Sequence, residues 1–190
     1  MVRNAVCKEN QTMESTATSI KPAGALPIGT WRVDPAASAL EFGARGMFGL
    51  VPVKGTFGKY TGELHADESG AHGELRIAAA SLDTGNSKRD SHLRSADFFD
   101  ADRSPTVTFS LLNIEQAGTG LAFRGALKIR DNSLEISAPL TVSQLDGDRL
   151  LLETTVDVDR AAAGVGWSRM GMIQGAAHLH AKLTLARGDS

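Results

Sequence analysis

From Trp31 onward the chain alternates apolar and polar residues with a period of two, the mark of strands that bury one face. Leu40, Phe42 and Ala44 fall on one side, Glu41 and Arg45 on the other. Val51, Val53, Gly55 and Phe57 repeat the pattern, and Tyr60, Gly62 and Leu64 continue it beyond Gly58. It returns in Leu75, Ile77 and Ala79, in Val107, Phe109 and Leu111, and in Leu121, Phe123, Gly125, Leu127 and Ile129. Leu134, Ile136, Ala138, Leu140 and Val142 form the next segment, followed by Leu150, Leu152, Thr154, Val156 and Val158. Ala177, Leu179, Ala181, Leu183 and Leu185 form the last. Turn-forming residues at 67–73, 118–120, 131–133 and 146–147 punctuate these runs at the spacing of an all-β sandwich or barrel.

The segments predict about eight strands, with one interruption. Residues 81–104, SLDTGNSKRDSHLRSADFFDADRS, lack the period and predict a short helix near residues 87–96. Asn86 or Ser87 can cap it, Asp90 suits the positive end of the helix, and Pro105 returns the chain to extended geometry. An eight-stranded antiparallel sheet that closes into a barrel loses its exposed edges. Its interior is just wide enough for packed side chains or for one small ligand. The inward set contains Ala44, Gly55, Ala79, Gly125, Ala138, Ala177 and Ala181. Small residues there either leave room or let two backbones pack closely, so the pattern alone leaves the interior open between core and cavity.

At 190 residues the chain suits one domain. Residues 1–27 have no hydrophobic period and read as a disordered tail, leaving 28–187 as the folded domain. A formal net charge of -2 and 22% charged residues name no partner, and the short basic groups are offset by nearby acids, which argues against nucleic acid. Cys7 is the only cysteine, so no internal disulfide is available. The first residues contain no apolar run of leader or membrane-spanning type, and the expectation is a cytoplasmic protein without a transmembrane segment.

Several motifs stand in a distinctive order: Trp31-Arg32-Val33-Asp34-Pro35 with Ser38 and Phe42, Val53-Lys54-Gly55-Thr56-Phe57, and Ser81-Leu82-Asp83-Thr84-Gly85-Asn86. Arg89-Asp90-Ser91-His92-Leu93-Arg94-Ser95-Ala96-Asp97-Phe98-Phe99-Asp100, Pro105 to Phe109, and Asp159-Arg160 with Gly164-Val165 follow. In this order the chain resembles the YceI-like family over about residues 28–187. The resemblance implies a lipocalin-like barrel holding a polyisoprenoid, a prenyl quinone or polyprenyl phosphate, in an interior tunnel. It implies no catalysis or cofactor, and paired subunits are common. The family pattern commonly carries histidine where this chain has Ala37 and Gly46, so any head group those imidazoles bind in relatives is recognised differently here or not at all.

The candidate ligand-contacting residues are Phe42, Phe48, Phe57, Phe98, Phe99, Phe109, Phe123 and Trp167 as tunnel lining. Met47, Phe48 and Met170, with Trp167, are placed for a flexible entrance or a dimer face, and Arg89 and His92 for a polar head. The structural alternative makes Arg89 and Asp90 ties for the helix. Arg89, Asp90 and His92 are a weak catalytic group, because no nucleophile elbow, metalloprotease helix or cysteine pair accompanies them. A small hydrolase-type enzyme acting through His92 and Asp90 and a filled-barrel stress or scaffold dimer are the competing functions. His178 and His180 share one strand face, expected to be the solvent face, and without a third ligand they predict no metal site. His65 and His72 flank a turn and read as solvated.

Overall fold

The alternating segments become antiparallel strands that follow one another around a closed ring. The computed structural model describes residues 21–22, 26–46, 51–145, 148–165 and 176–188. Its strands are β1 (Lys21–Pro22), β2 (Gly29–Val33), β3 (Ala39–Gly46), β4 (Val51–Phe57), β5 (Tyr60–Asp67), β6 (Gly70–Ala78) and β7 (Leu82–Asp83). After helix α1 (Ser87–Arg94) come β8 (Thr106–Ala117), β9 (Gly120–Ile129), β10 (Asn132–Gln144), β11 (Arg149–Val158) and β12 (Ala177–Arg187). β2 and β3 both pair with β12, and β5 and β4 pair with them on the other side, so β2 with β3 and β4 with β5 each form one bent wall strand. β6, β8, β9, β10, β11 and β12 complete an eight-stranded antiparallel barrel. The ring closes where Leu179 faces Phe42 and Leu185 faces Val33.

The bend between β2 and β3 is a polar corner with its groups satisfied. Asp34 Oδ1 accepts the Ala36 N–H at 3.1 Å, and Ser38 Oγ donates to Asp34 O at 2.7 Å. From across the seam the Thr184 N–H donates to Ser38 Oγ at 2.9 Å, and Thr184 Oγ1 donates to Ala37 O at 2.8 Å. Thr184 is buried, so these bonds remove the desolvation cost that an unpaired hydroxyl would carry there.

α1 lies inside the predicted 87–96 window and is capped by Asn86, whose Oδ1 accepts the Arg89 N–H at 3.1 Å. With β7 and the turn after the helix it forms the crossing from β6 to β8. Phe98 and Ala101 of that turn are buried, and Arg130 donates to the carbonyls of Ala96 and Phe98, each at 3.1 Å. The crossing is thereby fastened to the barrel at both ends of one turn.

Two details depart from the alternating pattern. A bulge between Leu111 and Asn113 on β8 shifts the phase by one residue, so Leu112 is 51% exposed while Ile114 turns inward opposite Phe123. Lys21–Pro22, within the stretch read as tail, pair with Gln144 and Ser143 of β10. Leu26 packs on the core, and the Trp31 indole N–H donates to Pro27 O at 3.1 Å.

The core has a solid part and a lined part. Trp31, Leu64, Ala66, Ala71, Leu150 and Leu185 form a fully packed cluster at one end. A larger cluster from Leu40 through Val165 surrounds open space toward α1.

Candidate ligand-binding site

The barrel interior holds two apolar chambers. The deep chamber, of about 180 Å³, lies among Leu40, Leu75, Val107, Phe109, Ile114, Phe123, Ile136, Leu140, Leu152 and Leu183 with their neighbours. The helix-side chamber, of about 170 Å³, lies among Phe42, Ala44, Val53, Arg89, His92, Leu93, Phe98, Val158, Arg160, Val165 and Ala177. Phe57, Phe99, Leu127, Ile129 and Leu179 border both. Phe57 and Phe99 meet edge to face with centroids 5.9 Å apart, and Phe42 stacks obliquely on Phe57 at 5.1 Å. This aromatic pair stands as a partition between the chambers, within the range of favourable ring contacts.

The deep chamber is apolar because each wall strand turns its period-two aliphatic face inward. On the β11–β12 ladder the facing pairs Val156–Leu179, Thr154–Ala181 and Leu152–Leu183 all border it. Thr154 brings a hydroxyl to this wall, and that hydroxyl donates to Pro139 O at 2.7 Å. Glu41 and His180 also border it, but their side chains are exposed and approach one another at 4.0 Å.

Glycines act here as seats for rings. A Cβ on Gly55 would come within 2.5 Å of the Phe42 ring, and one on Gly125 within 2.4 Å of the Phe109 ring. Of the small inward residues, Ala44, Ala177 and Ala181 border open space, whereas Gly55 and Gly125 are filled by their neighbours.

The helix-side chamber has a polar margin. Arg89 Nε donates to Thr84 Oγ1 at 2.7 Å and its Nη2 to Thr84 O at 2.9 Å. The buried Asp90 accepts from the Thr84 N–H at 3.0 Å and from Thr84 Oγ1 at 2.5 Å, so Thr84 joins both charged side chains to the strand below. His92 Nε2 lies 3.3 Å from Asp97 Oδ2, and its ring meets Phe98 edge-on at 5.1 Å. Asp90 is thus held by Thr84, while His92 lies against Asp97 and Phe98. Burial lowers the Arg160 guanidinium from its usual value, with neighbouring Asp159 acting in the opposite sense.

Phe42, Phe57, Arg89, His92, Phe98, Phe99, Phe109 and Phe123 all border one or both chambers. Met47, Phe48, Trp167 and Met170 lie outside the described residues. Arg160, Ile114 and the aliphatic lining were not singled out by sequence. The alternating apolar positions could have named the aliphatics, and Asp159-Arg160 was visible only as a motif. His178 and His180 are exposed; His178 pairs with Asp157, and no cluster of three potential metal ligands occurs among the described residues. His65 and His72 face each other across β5–β6 and stack at 5.4 Å, with Thr30 Oγ1 3.1 Å from His65 Nδ1, so they are paired rather than merely solvated. No helix among the described residues is long and apolar enough to cross a membrane.

A family model described as the YceI-like domain matches residues 31–185. The chain belongs to the YceI family. Within it, the chain is 31% identical over 91 residues to Protein YceI of Escherichia coli, covering 46% of each chain. It is 29% identical over 136 residues to a UPF0312 protein of Vibrio parahaemolyticus, covering 66% of this chain and 69% of the relative. The matched stretch spans about half the length of the first curated relatives, as with the Vibrio cholerae UPF0312 protein, of which it covers 47%. Among solved structures, the YceI barrel resembles Burkholderia cenocepacia BcnA with a TM-score of 0.72 at 24% identity, over 80% of this chain and 98% of that one. It also resembles a polyisoprenoid binding domain from Saccharophagus degradans implicated in plant cell wall breakdown, with a TM-score of 0.68 at 16% identity, over 83% and 98% of the two chains.

Proposed function

We propose that the protein binds a polyisoprenoid lipid in its barrel and carries or stores it. The observation that carries this reading is the pair of apolar chambers laid end to end inside an otherwise packed barrel. A branched hydrocarbon chain fits a bore walled by leucine, isoleucine, valine and phenylalanine. Each methylene taken out of water contributes ~0.8 kcal/mol before the ordering costs of binding are subtracted. The neighbour from Saccharophagus degradans, a polyisoprenoid binding domain, supports the same class of ligand. Its tail would lie among Phe42, Phe57, Phe98, Phe99, Phe109 and Phe123, and its head would reach the margin formed by Arg89, His92 and Arg160.

Binding without turnover suits the margin, where Arg89 and Asp90 are tied to Thr84. The proposal includes a cytoplasmic carrier able to form a homodimer, the first to be checked by cell fractionation and the second by sedimentation.

The test is native mass spectrometry of protein purified without detergent, followed by uptake of a prenyl quinone and a polyprenyl phosphate by the stripped protein. A retained or reloaded prenyl lipid, expelled by Phe109→Asp, is the expected result. A stripped protein that takes up neither compound would sink the proposal.

A further inference from the structure

The chambers end abruptly at one side. Along the β11–β12 ladder, Val158–Ala177 border the helix-side chamber, and the next facing pairs down to Leu152–Leu183 border the deep one. The following pair, Leu150–Leu185, borders neither. It is almost completely buried, at 0% and 2% exposure, and packs with Trp31 and Leu64 into the solid cluster. The change from wall to plug takes place within one pair of facing residues. Leu150 and Leu185 form the penultimate pair of the ladder, which ends at Arg149 and Ala186, and their side chains turn into the bore just before the strands end.

We propose that this plug is a length stop, with Leu150 and Leu185 setting how many isoprene units the tunnel accepts. The stop rests on the isoprenoid reading of the tunnel. A chain entering on the α1 side passes the Phe57–Phe99 partition, fills the deep chamber, and meets Leu150 and Leu185 end on. Successive facing pairs advance ~7 Å along a strand. With strands tilted by ~35–45° to a barrel axis this is about 5 Å of depth, close to one extended isoprene unit. Removing one plug side chain therefore admits about one unit more, and filling the chamber midway admits fewer. Ala181 offers the second change, because it borders the deep chamber one pair above Leu152–Leu183 and a larger side chain there occupies existing space.

The experiment loads stripped full-length protein with an equimolar mixture of polyprenols of graded length and reads the bound distribution by native mass spectrometry. The wild-type protein is expected to show a sharp upper limit, Leu150→Ala a limit longer by about one unit, and Ala181→Leu a shorter one. Leu185→Ala repeats the lengthening arm should Leu150→Ala fail to fold. Uptake of polyprenols by the wild type with no upper limit, or the same limit in the wild type and the folded variants, overturns the stop and leaves the isoprenoid reading standing. Uptake of no polyprenol, prenyl quinone or polyprenyl phosphate by any of the folded proteins overturns both.

Discussion

The Phe109 ring lies over the α-carbon of Gly125, so close that a β-carbon at 125 would come within 2.4 Å of the ring edge and 2.7 Å of the Ser110 carbonyl oxygen. The ring forms part of the deep chamber wall and also meets Phe123 edge to face at 5.4 Å. Gly125→Ala cannot be absorbed by a ring movement alone, because the Ser110 carbonyl belongs to the neighbouring strand backbone. We expect a loss of about 1–3 kcal/mol of stability, the usual cost of overpacking, in urea unfolding. Phe109→Leu in the same background should recover only the part due to the ring.

The Phe57–Phe99 partition predicts a separable effect on binding. Phe99→Ala removes half of the partition and joins the chambers, so uptake of a polyprenol by the stripped protein should accelerate. The cost in stability should not exceed ~3 kcal/mol, since Phe99 is only partly buried. Stopped-flow fluorescence of a prenyl probe, with a thermal melt alongside, reads both quantities.

Thr84 is the knot that ties α1 to the sheet, and Asp90 holds it. Asp90→Ala leaves the Thr84 N–H without its acceptor and should destabilise the protein by about 1–3 kcal/mol. Amide exchange should rise first in residues 84–94. Wild-type exchange there after the substitution would contradict the tie.

Tyr60 is the only tyrosine in the chain, so its phenol can be titrated alone by absorbance. Burial raises its pKa above 10.0, and nearby Asp34 raises it further. A folded value above the unfolded one means that its contribution to stability is complete below pH ~10 and is lost as the pH climbs through the folded value. The expected titration midpoint lies above 10 in the native protein and returns to about 10 in urea.

The bulge in β8 predicts opposite outcomes for near neighbours. Leu112→Ser changes an exposed side chain and should cost no more than about 0.5 kcal/mol. Ile114→Ser places a hydroxyl on the apolar deep-chamber wall and should cost several times as much in the same urea series.

The barrel was largely legible in the sequence because each strand writes its inward face locally, every second residue. Leu179, Ala181 and Leu183 could be assigned to the interior without knowledge of their partners, and the ladder with Val156, Thr154 and Leu152 confirms them. The phase beyond Leu111 was not legible, since a bulge is a property of two paired strands and leaves the composition of one unchanged. Gly55 and Gly125 were ambiguous for a related reason: the rings that fill them come from adjacent strands. Among site residues, the aromatic candidates bordered the chambers, but the aliphatic walls were indistinguishable from ordinary core. Arg160 reaches the margin through the turn after β11, a placement that no local period encodes.

The order of strands around the ring also has a kinetic meaning. The pairings β3–β4, β5–β6, β8–β9, β9–β10, β10–β11 and β11–β12 join consecutive strands and can zip up as hairpins, whereas β12 against β2 and β3 joins residues 178–187 to residues 31–43. Among the described strand pairings this closure spans the longest stretch of chain and carries the largest loop entropy. Until it forms, the chambers are an open trough facing water, with Leu179 and Leu185 lacking the partners opposite them. Cargo can be enclosed only after the last strand has been made, and a lipid held inside then acts as a clasp on the seam, slowing the step by which the barrel would spring apart.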